Sequence, residues 1–382
     1  MTRFATRREL PVFKVDLLVV GASFAGLACA RAAARTGLSV LVLEKKRSAG
    51  AKLHTTGIIV KDAVDTVPWL ADVPTELVRR IEGVRLYAPN MRHVDLHAPG
   101  YYFLATDAPA LLDWMVDSVR ACQAMVRLDT LFDGARWAGS HWIVPLGDGT
   151  RVQAAYIVGA DGPHSQVAKA LGLSRNRHFL YGVEHEYRQA QLAPGLLHCF
   201  VDRQLAPGYI GWAFEGVGVS QIGLARRVRK PPAAALRLDP LLEKIAPFVR
   251  TDGTPPLAVR AGMIPCGGVL PIVARERALL VGDAAGMVSP VTAGGSTPRC
   301  CTASVPAKRW RRSCAASATT RSAGSFASTR AIASSARCAG VSTASRATGS
   351  STDCSAPRRC GAPPSWCTFT ARRPCLQRWA RR

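Results

Sequence analysis

The apolar stretch Val15 to Val20, broken only by Asp16, has the length and hydrophobic character of a strand buried on both faces. Past a Gly-containing turn the period changes: Phe24 to Thr36 carries its apolar residues at helical spacing, and Ser39 to Leu43 returns to a strand. Further on, Pro109 to Cys122 sets Leu111, Leu112, Met115, Val116 and Val119 on one stripe, as an amphipathic helix packed on a sheet does. Trp142 to Pro145, the turn Gly147-Asp148-Gly149 and the segment from Val152 read as a hairpin leading into a strand that ends at Asp161. Between about Phe179 and Ala225, strand-like segments with turn signals predict an antiparallel sheet, and a helix is expected near Leu238 to Val249.

The first strand, turn and helix contain Gly21-Ala22-Ser23-Phe24-Ala25-Gly26, and the second strand runs into Glu44, with Lys45 beside it. That spacing builds the adenosine-diphosphate end of a dinucleotide site. Gly21 allows the tight turn, small residues let backbone N–H groups approach a pyrophosphate at the helix N-terminus, and Glu44 is placed to accept from the adenosine ribose hydroxyls. Ser23 stands where such fingerprints usually carry their middle glycine, which keeps a small residue at the close approach.

Two more strands end in acidic turns: Tyr156-Ile157-Val158-Gly159-Ala160-Asp161-Gly162 and Ala278-Leu279-Leu280-Val281-Gly282-Asp283. Each alone is a strand followed by a turn that any sheet protein can supply. Together, in this order, they resemble the paired signatures of the flavoprotein hydroxylase superfamily. Ala51 to Ile59, the aromatic strip Gly208-Tyr209-Ile210-Gly211-Trp212-Ala213-Phe214, Gly262 to Gly268, and Val281 to Gly295 resemble the geranylgeranyl reductase branch. The resemblance covers about residues 14 to 295. It implies FAD as cofactor, Asp283 as acceptor from a ribityl hydroxyl, Asp161, Gly282, Gly294 and Gly295 close to the flavin, and reduction of prenyl double bonds. It also implies an α/β fold in which a Rossmann-type FAD-binding domain, residues 1–85, 105–175 and 263–295, holds an inserted antiparallel-sheet substrate domain, residues 86–104 and 176–262. Three departures from the family pattern stand out: Gln166 to Lys169 where an arginine is usual, His54-Thr55-Thr56 where many members have Cys-Gly-Gly, and Glu215 in place of proline.

With 382 residues, 48% of them hydrophobic, the chain is long enough for a large core. Its net charge of +24 is uneven. From Ser296 to Arg382 sixteen Arg or Lys face one acid, Asp353, and eight of the twelve cysteines also lie there. The body keeps Cys29, Cys122, Cys199 and Cys266, the usage of a reducing compartment. Lys14 and Asp16 interrupt the first apolar stretch, which is therefore read as a nucleotide-binding strand and not an export signal. No run is long enough to cross a bilayer, so the expectation is a cytoplasmic protein, at most peripheral to a membrane.

After Gly295 neither helical nor strand periodicity survives, and Arg, Ala, Ser, Cys, Thr and Pro dominate. Such a segment is either a genuine disordered basic tail or a GC-rich gene read out of frame. One extra nucleotide before Ser296 permits Ile-His-Thr-Ala-Leu-Leu-His-Gly, an apolar helix start. The arginines are scattered and the aromatics far apart, unlike a nucleic-acid arm, so no specific nucleic-acid partner is expected.

For the chemistry, a flavin supplies the hydride, while the protein must fix the alkene and provide an acid. The proton donor is sought among His54, Cys266 and Tyr209. Trp212 and Phe214 either line a prenyl pocket or fill the core of a sheet, with Tyr209 expected on the opposite face of their strand. Nicotinamide, ferredoxin and quinol all stay open as electron donor. An FAD monooxygenase and an inactive flavoenzyme remnant are the alternatives, since the fold serves both reductive and oxygen-activating chemistry.

Overall fold

The structure, a computed structural model, describes residues 12–288 except 55, 229–235, 252 and 276. Gly294, Gly295 and the segment 296–382, with the out-of-frame reading attached to it, lie outside the described residues.

The first sheet has eight strands. Its core is five parallel strands in the order Ala278–Leu280, Arg151–Gly159, β1 (Val12–Val20), β2 (Val40–Leu43) and Met125–Arg127. Burial along β1 follows its sequence. The outer residues are exposed, whereas Leu17 to Val20 are buried on both faces, as expected once helices cover a parallel sheet. α1 (Phe24–Ala34) packs on this sheet through Ala25, Gly26, Ala28, Ala30 and Ala33, whose small side chains let the helix axis come close. The helix ends two residues before the expected Thr36, because Gly37 takes φ +84 and the Thr36 hydroxyl donates to the Ala33 carbonyl. Helix Ala108–Ala121 starts with Asp107 capping the Ala110 N–H and buries all five predicted stripe residues. The hairpin of Trp142–Pro145 with Arg151–Gly159 is present.

The second sheet has seven strands, in the order Ala258–Pro265, Phe179–Tyr187, Ser220–Arg227, Gly211–Glu215, Leu196–Phe200, Gly83–Tyr87 and His93–His97. All its pairs are antiparallel except Leu196–Phe200 with Gly83–Tyr87. Strands Gly83–Tyr87 and Ala258–Pro265 straddle the expected domain boundaries at 85 and 263. One face of the sheet packs Tyr87, Phe200, Ile222 and Leu224 against Leu241 and Ile245 of helix Asp239–Ile245. The opposite face carries Leu180, Trp212, Phe214 and Ala225, closed by Ile81 and Ala105 from a small three-stranded sheet. Among the described residues no helix is long and apolar enough to cross a membrane, and the four body cysteines are all free thiols.

Candidate functional site

Parallel register brings the predicted nucleotide motifs to one edge. Val20 pairs with Gly159 and with Leu43, and Gly159 pairs with Leu280, so Gly21, Glu44, Asp161 and Gly282-Asp283 all follow the carboxyl ends of adjacent strands. Open α/β sheets bind ligands at this edge.

Each turn there is tightly built. Gly21 sits at φ +104, and a Cβ on it would lie 2.5 Å from the Ala160 carbonyl oxygen. Gly26 faces the Gly21 carbonyl so closely that a side chain would overlap it. Ser23 is the N-cap of α1: its hydroxyl accepts from the Gly26 N–H at 3.3 Å and donates to the Ala160 carbonyl at 2.9 Å. Serine in the middle fingerprint position thus ties the end of β1 to the neighbouring strand. The first-turn N–H groups of Phe24 and Ala25 are those a helix leaves without an internal acceptor. Glu44 is buried; its Oε2 accepts from Ala22 N at 2.8 Å and its Oε1 from Lys46 N at 3.0 Å. Lys45 is exposed.

Asp161 caps the short helix Gln166–Ala170, accepting from Ser165 Oγ, Gln166 N and Val167 N. Burial pushes its carboxyl upward, and these three donors pull against that. The stretch Gln166 to Lys169 therefore forms a helix start stabilised by the acidic turn itself. Asp283 lies in a 3-10 turn, Gly282–Ala285. Asn176, which sequence reasoning missed, joins the two turns: its side-chain N–H₂ donates to the Pro163 and Asp283 carbonyls at 3.1 and 2.8 Å. An Asn in a loop gives no local signal of that role.

The remaining candidates meet on the second sheet. Tyr209 packs on the same cluster as Trp212 and Phe214, not on the opposite face, because the strand begins only at Gly211 and alternation does not extend back to residue 209. Cys266 packs at the edge of this cluster, and His54 Nδ1 meets the Ala261 carbonyl on the adjoining strand. Burial raises the pKa of both Tyr209 and Cys266 above their ordinary values. Phe214 is fully buried and Trp212 nearly so, and the Trp212 indole donates to Glu184 Oε2 at 2.7 Å. Glu184 is a second residue the sequence did not single out.

A family model for FAD dependent oxidoreductases matches residues 16–127, and one for an FAD binding domain matches residues 91–187. Digeranylgeranylglycerophospholipid reductase 2 of Methanopyrus kandleri is 30% identical over 307 residues, 73% of this chain and 72% of the relative. The chain belongs to the geranylgeranyl reductase family. Digeranylgeranylglycerophospholipid reductase 3 of Methanosphaera stadtmanae is 25% identical over 74% of this chain and 73% of its own length. Among solved structures, a geranylgeranyl bacteriochlorophyll reductase-like protein of Thermoplasma acidophilum superimposes with a TM-score of 0.73, at 18% identity, covering 86% of this chain and 83% of that one. Aklavinone-11 hydroxylase, in a complex with FAD and aklavinone, gives a TM-score of 0.61 at 18% identity over 78% and 62%. Both share the fold.

This geranylgeranyl reductase family member is an FAD-dependent oxidoreductase. The residues at the carboxyl edge fit the cofactor. Gly21 and Gly26 leave a side-chain-free approach that a Cβ would close, and the N-terminal turn of an eleven-residue helix favours a pyrophosphate.

Proposed function

We propose that this family member reduces isolated carbon–carbon double bonds of a prenyl lipid. The observation that carries the reading is kinship over about three quarters of the chain with enzymes named digeranylgeranylglycerophospholipid reductases. The partly buried Tyr209, Ile264 and Cys266 at the edge of the Trp212 and Phe214 cluster, beside the His54 loop, support it, because an apolar edge of this kind suits a hydrocarbon substrate.

In this reading residues 1–85, 105–175 and 263–295 form the FAD-binding domain, and 86–104 with 176–262 the substrate domain. Ser23, Phe24, Ala25 and Gly26 hold the pyrophosphate, Glu44 the adenosine ribose and Asp283 the ribityl chain, with Lys45, Asp161, Gly282, Gly294 and Gly295 around them. Bound and reduced, FAD supplies the hydride. Trp212 and Phe214 hold the alkene in a dry pocket, and His54 lies on the loop beside them. Substrate access from a membrane surface would suit a lipid substrate.

Glu44→Ala is expected to weaken FAD binding about tenfold to hundredfold, as the loss of one or two hydrogen bonds to a charged acceptor implies. Fluorescence titration of the apoprotein with FAD measures it. Anaerobic incubation of the reduced enzyme with a geranylgeranylated lipid should yield products heavier by two hydrogens per reduced bond. Likeness to aklavinone-11 hydroxylase favours a second reading, an aromatic monooxygenase. Oxygen-dependent hydroxylation of an aromatic, with no hydrogen gain on any prenyl lipid, would establish that one instead. Insertion of one nucleotide before codon 296 should raise flavin retention if the segment beyond it is out of frame; equal retention by both versions would reject that reading.

A further inference from the structure

A row of residues crosses the second sheet on its Trp212 face. Arg260 pairs with Glu184, Glu184 with Gly223, and Gly223 with Trp212. Gly223 is what joins the ends of this row. A Cβ there would lie 2.5 Å from the indole ring, so only glycine lets Trp212 reach across the intervening strand to Glu184. In the next row Glu186 accepts from Gln221 Nε2 at 3.0 Å and forms an ion pair with Arg260. The Arg260 charge is thus shared with a second carboxylate. From above, the loop carrying His54 and Thr56 packs on the sheet: His54 covers Gly262, and the Thr56 hydroxyl reaches the Glu184 carboxyl.

Glu184 is 4% exposed, its Oε2 takes the indole N–H, and its Oε1 has no hydrogen-bond partner among the described residues. A buried carboxylate in that position has the indole, the Thr56 hydroxyl and the Arg260 charge beside it but keeps Oε1 without a donor, whereas a neutral carboxylic acid can place its O–H there. Burial pushes the carboxyl up to about 7, the Trp212 indole, Arg260 and Thr56 pulling it down and Glu186 adding to the rise. An acid that titrates near neutrality is well matched to proton transfer.

We infer that Glu184 is the proton donor of this site, a neutral acid held by Trp212 beneath the loop that carries His54 and Thr56. The inference rests on the prenyl-reduction reading and deepens it. Glu184 would give its proton to one carbon of the double bond, the other carbon taking the hydride that bound, reduced FAD would supply, and the Glu184 carboxylate would recover a proton from solvent.

The test uses the full chain and Glu184→Gln, whose amide oxygen still accepts from Trp212. Infrared difference spectra on either side of neutral pH should show a buried carboxylic-acid band in the wild type that disappears on raising the pH and is absent from Glu184→Gln. Trp212→Phe, which removes the indole donor, should move the midpoint of that band to higher pH. With a prenyl lipid, oxidation of the reduced flavin should slow about 100-fold or more in Glu184→Gln, the usual contribution of a general acid, while FAD affinity stays unchanged. A band that persists in Glu184→Gln, no titrating band in the wild type, or an unchanged rate and pH profile in Glu184→Gln overturns the inference. If the wild type reduces no prenyl lipid, the substrate reading fails on that result, and the infrared band alone decides whether Glu184 stores a proton.

Discussion

Gly26→Ala is expected to abolish FAD retention and to cost about 3 kcal/mol or more of stability, at the upper end of what overpacking does. Two effects oppose each other at this position. Alanine is a better helix former than glycine by about 1 kcal/mol, and Gly26 lies within α1. Against that, the new methyl would overlap the Gly21 carbonyl in the turn after β1 and press on the Ala160 side chain at the end of the neighbouring strand. Backbone cannot yield as a flexible side chain can, so the steric term wins. The helix would be levered away from the strand ends that position Ser23 and Glu44. Thermal unfolding together with flavin content after purification measures both effects. A stable, flavin-loaded Gly26→Ala protein would show that α1 does not seat against Gly21 in this way.

Arg260→Met should destabilise the chain by about 3–5 kcal/mol, the penalty for removing one partner of a buried ion pair. Both side chains of the pair are only about one-tenth exposed, and without Arg260 the Glu186 carboxylate keeps the Gln221 hydrogen bond and loses its ion pair. The variant should also alter the pH dependence of stability. Folded Glu184 keeps its proton where the unfolded chain has lost it, so stability falls as pH rises from 4.5 to about 7 and levels off above. The fall is on the order of 3 kcal/mol. Removing the Arg260 charge extends that decline to higher pH, and Glu184→Gln eliminates it. Urea unfolding across this pH range distinguishes the three proteins.

The cofactor edge was legible because its determinants are local. A strand, a glycine turn, a helix and an acid lie within a short run ending at Glu44, and their order along the chain puts the turn and the acid at the carboxyl ends of adjacent strands. The Asp161 and Asp283 turns were legible for the same reason. What the sequence concealed depends on register between distant strands. Glu184 meets Trp212 only because two pairings place Gly223 between them, and a glycine inside a strand announces a close approach without saying of what. Asn176 reaches a turn 107 residues away in one of its two bonds. Tyr209 was set on the wrong face by carrying strand alternation two residues beyond the strand's start.

The order of strands in the first sheet also governs how the protein can be made. β1 lies between β2, which follows at once, and Arg151–Gly159, which in turn waits for Ala278–Leu280. A ribosome must therefore release nearly the whole described chain before the cofactor edge closes, and the buried face of β1 stays without its far neighbours throughout that interval. Long-range parallel pairing of this kind forms slowly and leaves apolar strands open to association. Production of the protein should accordingly be sensitive to translation speed and to chaperone supply, and a cofactor at this edge can stabilise only a chain whose synthesis has passed Leu280.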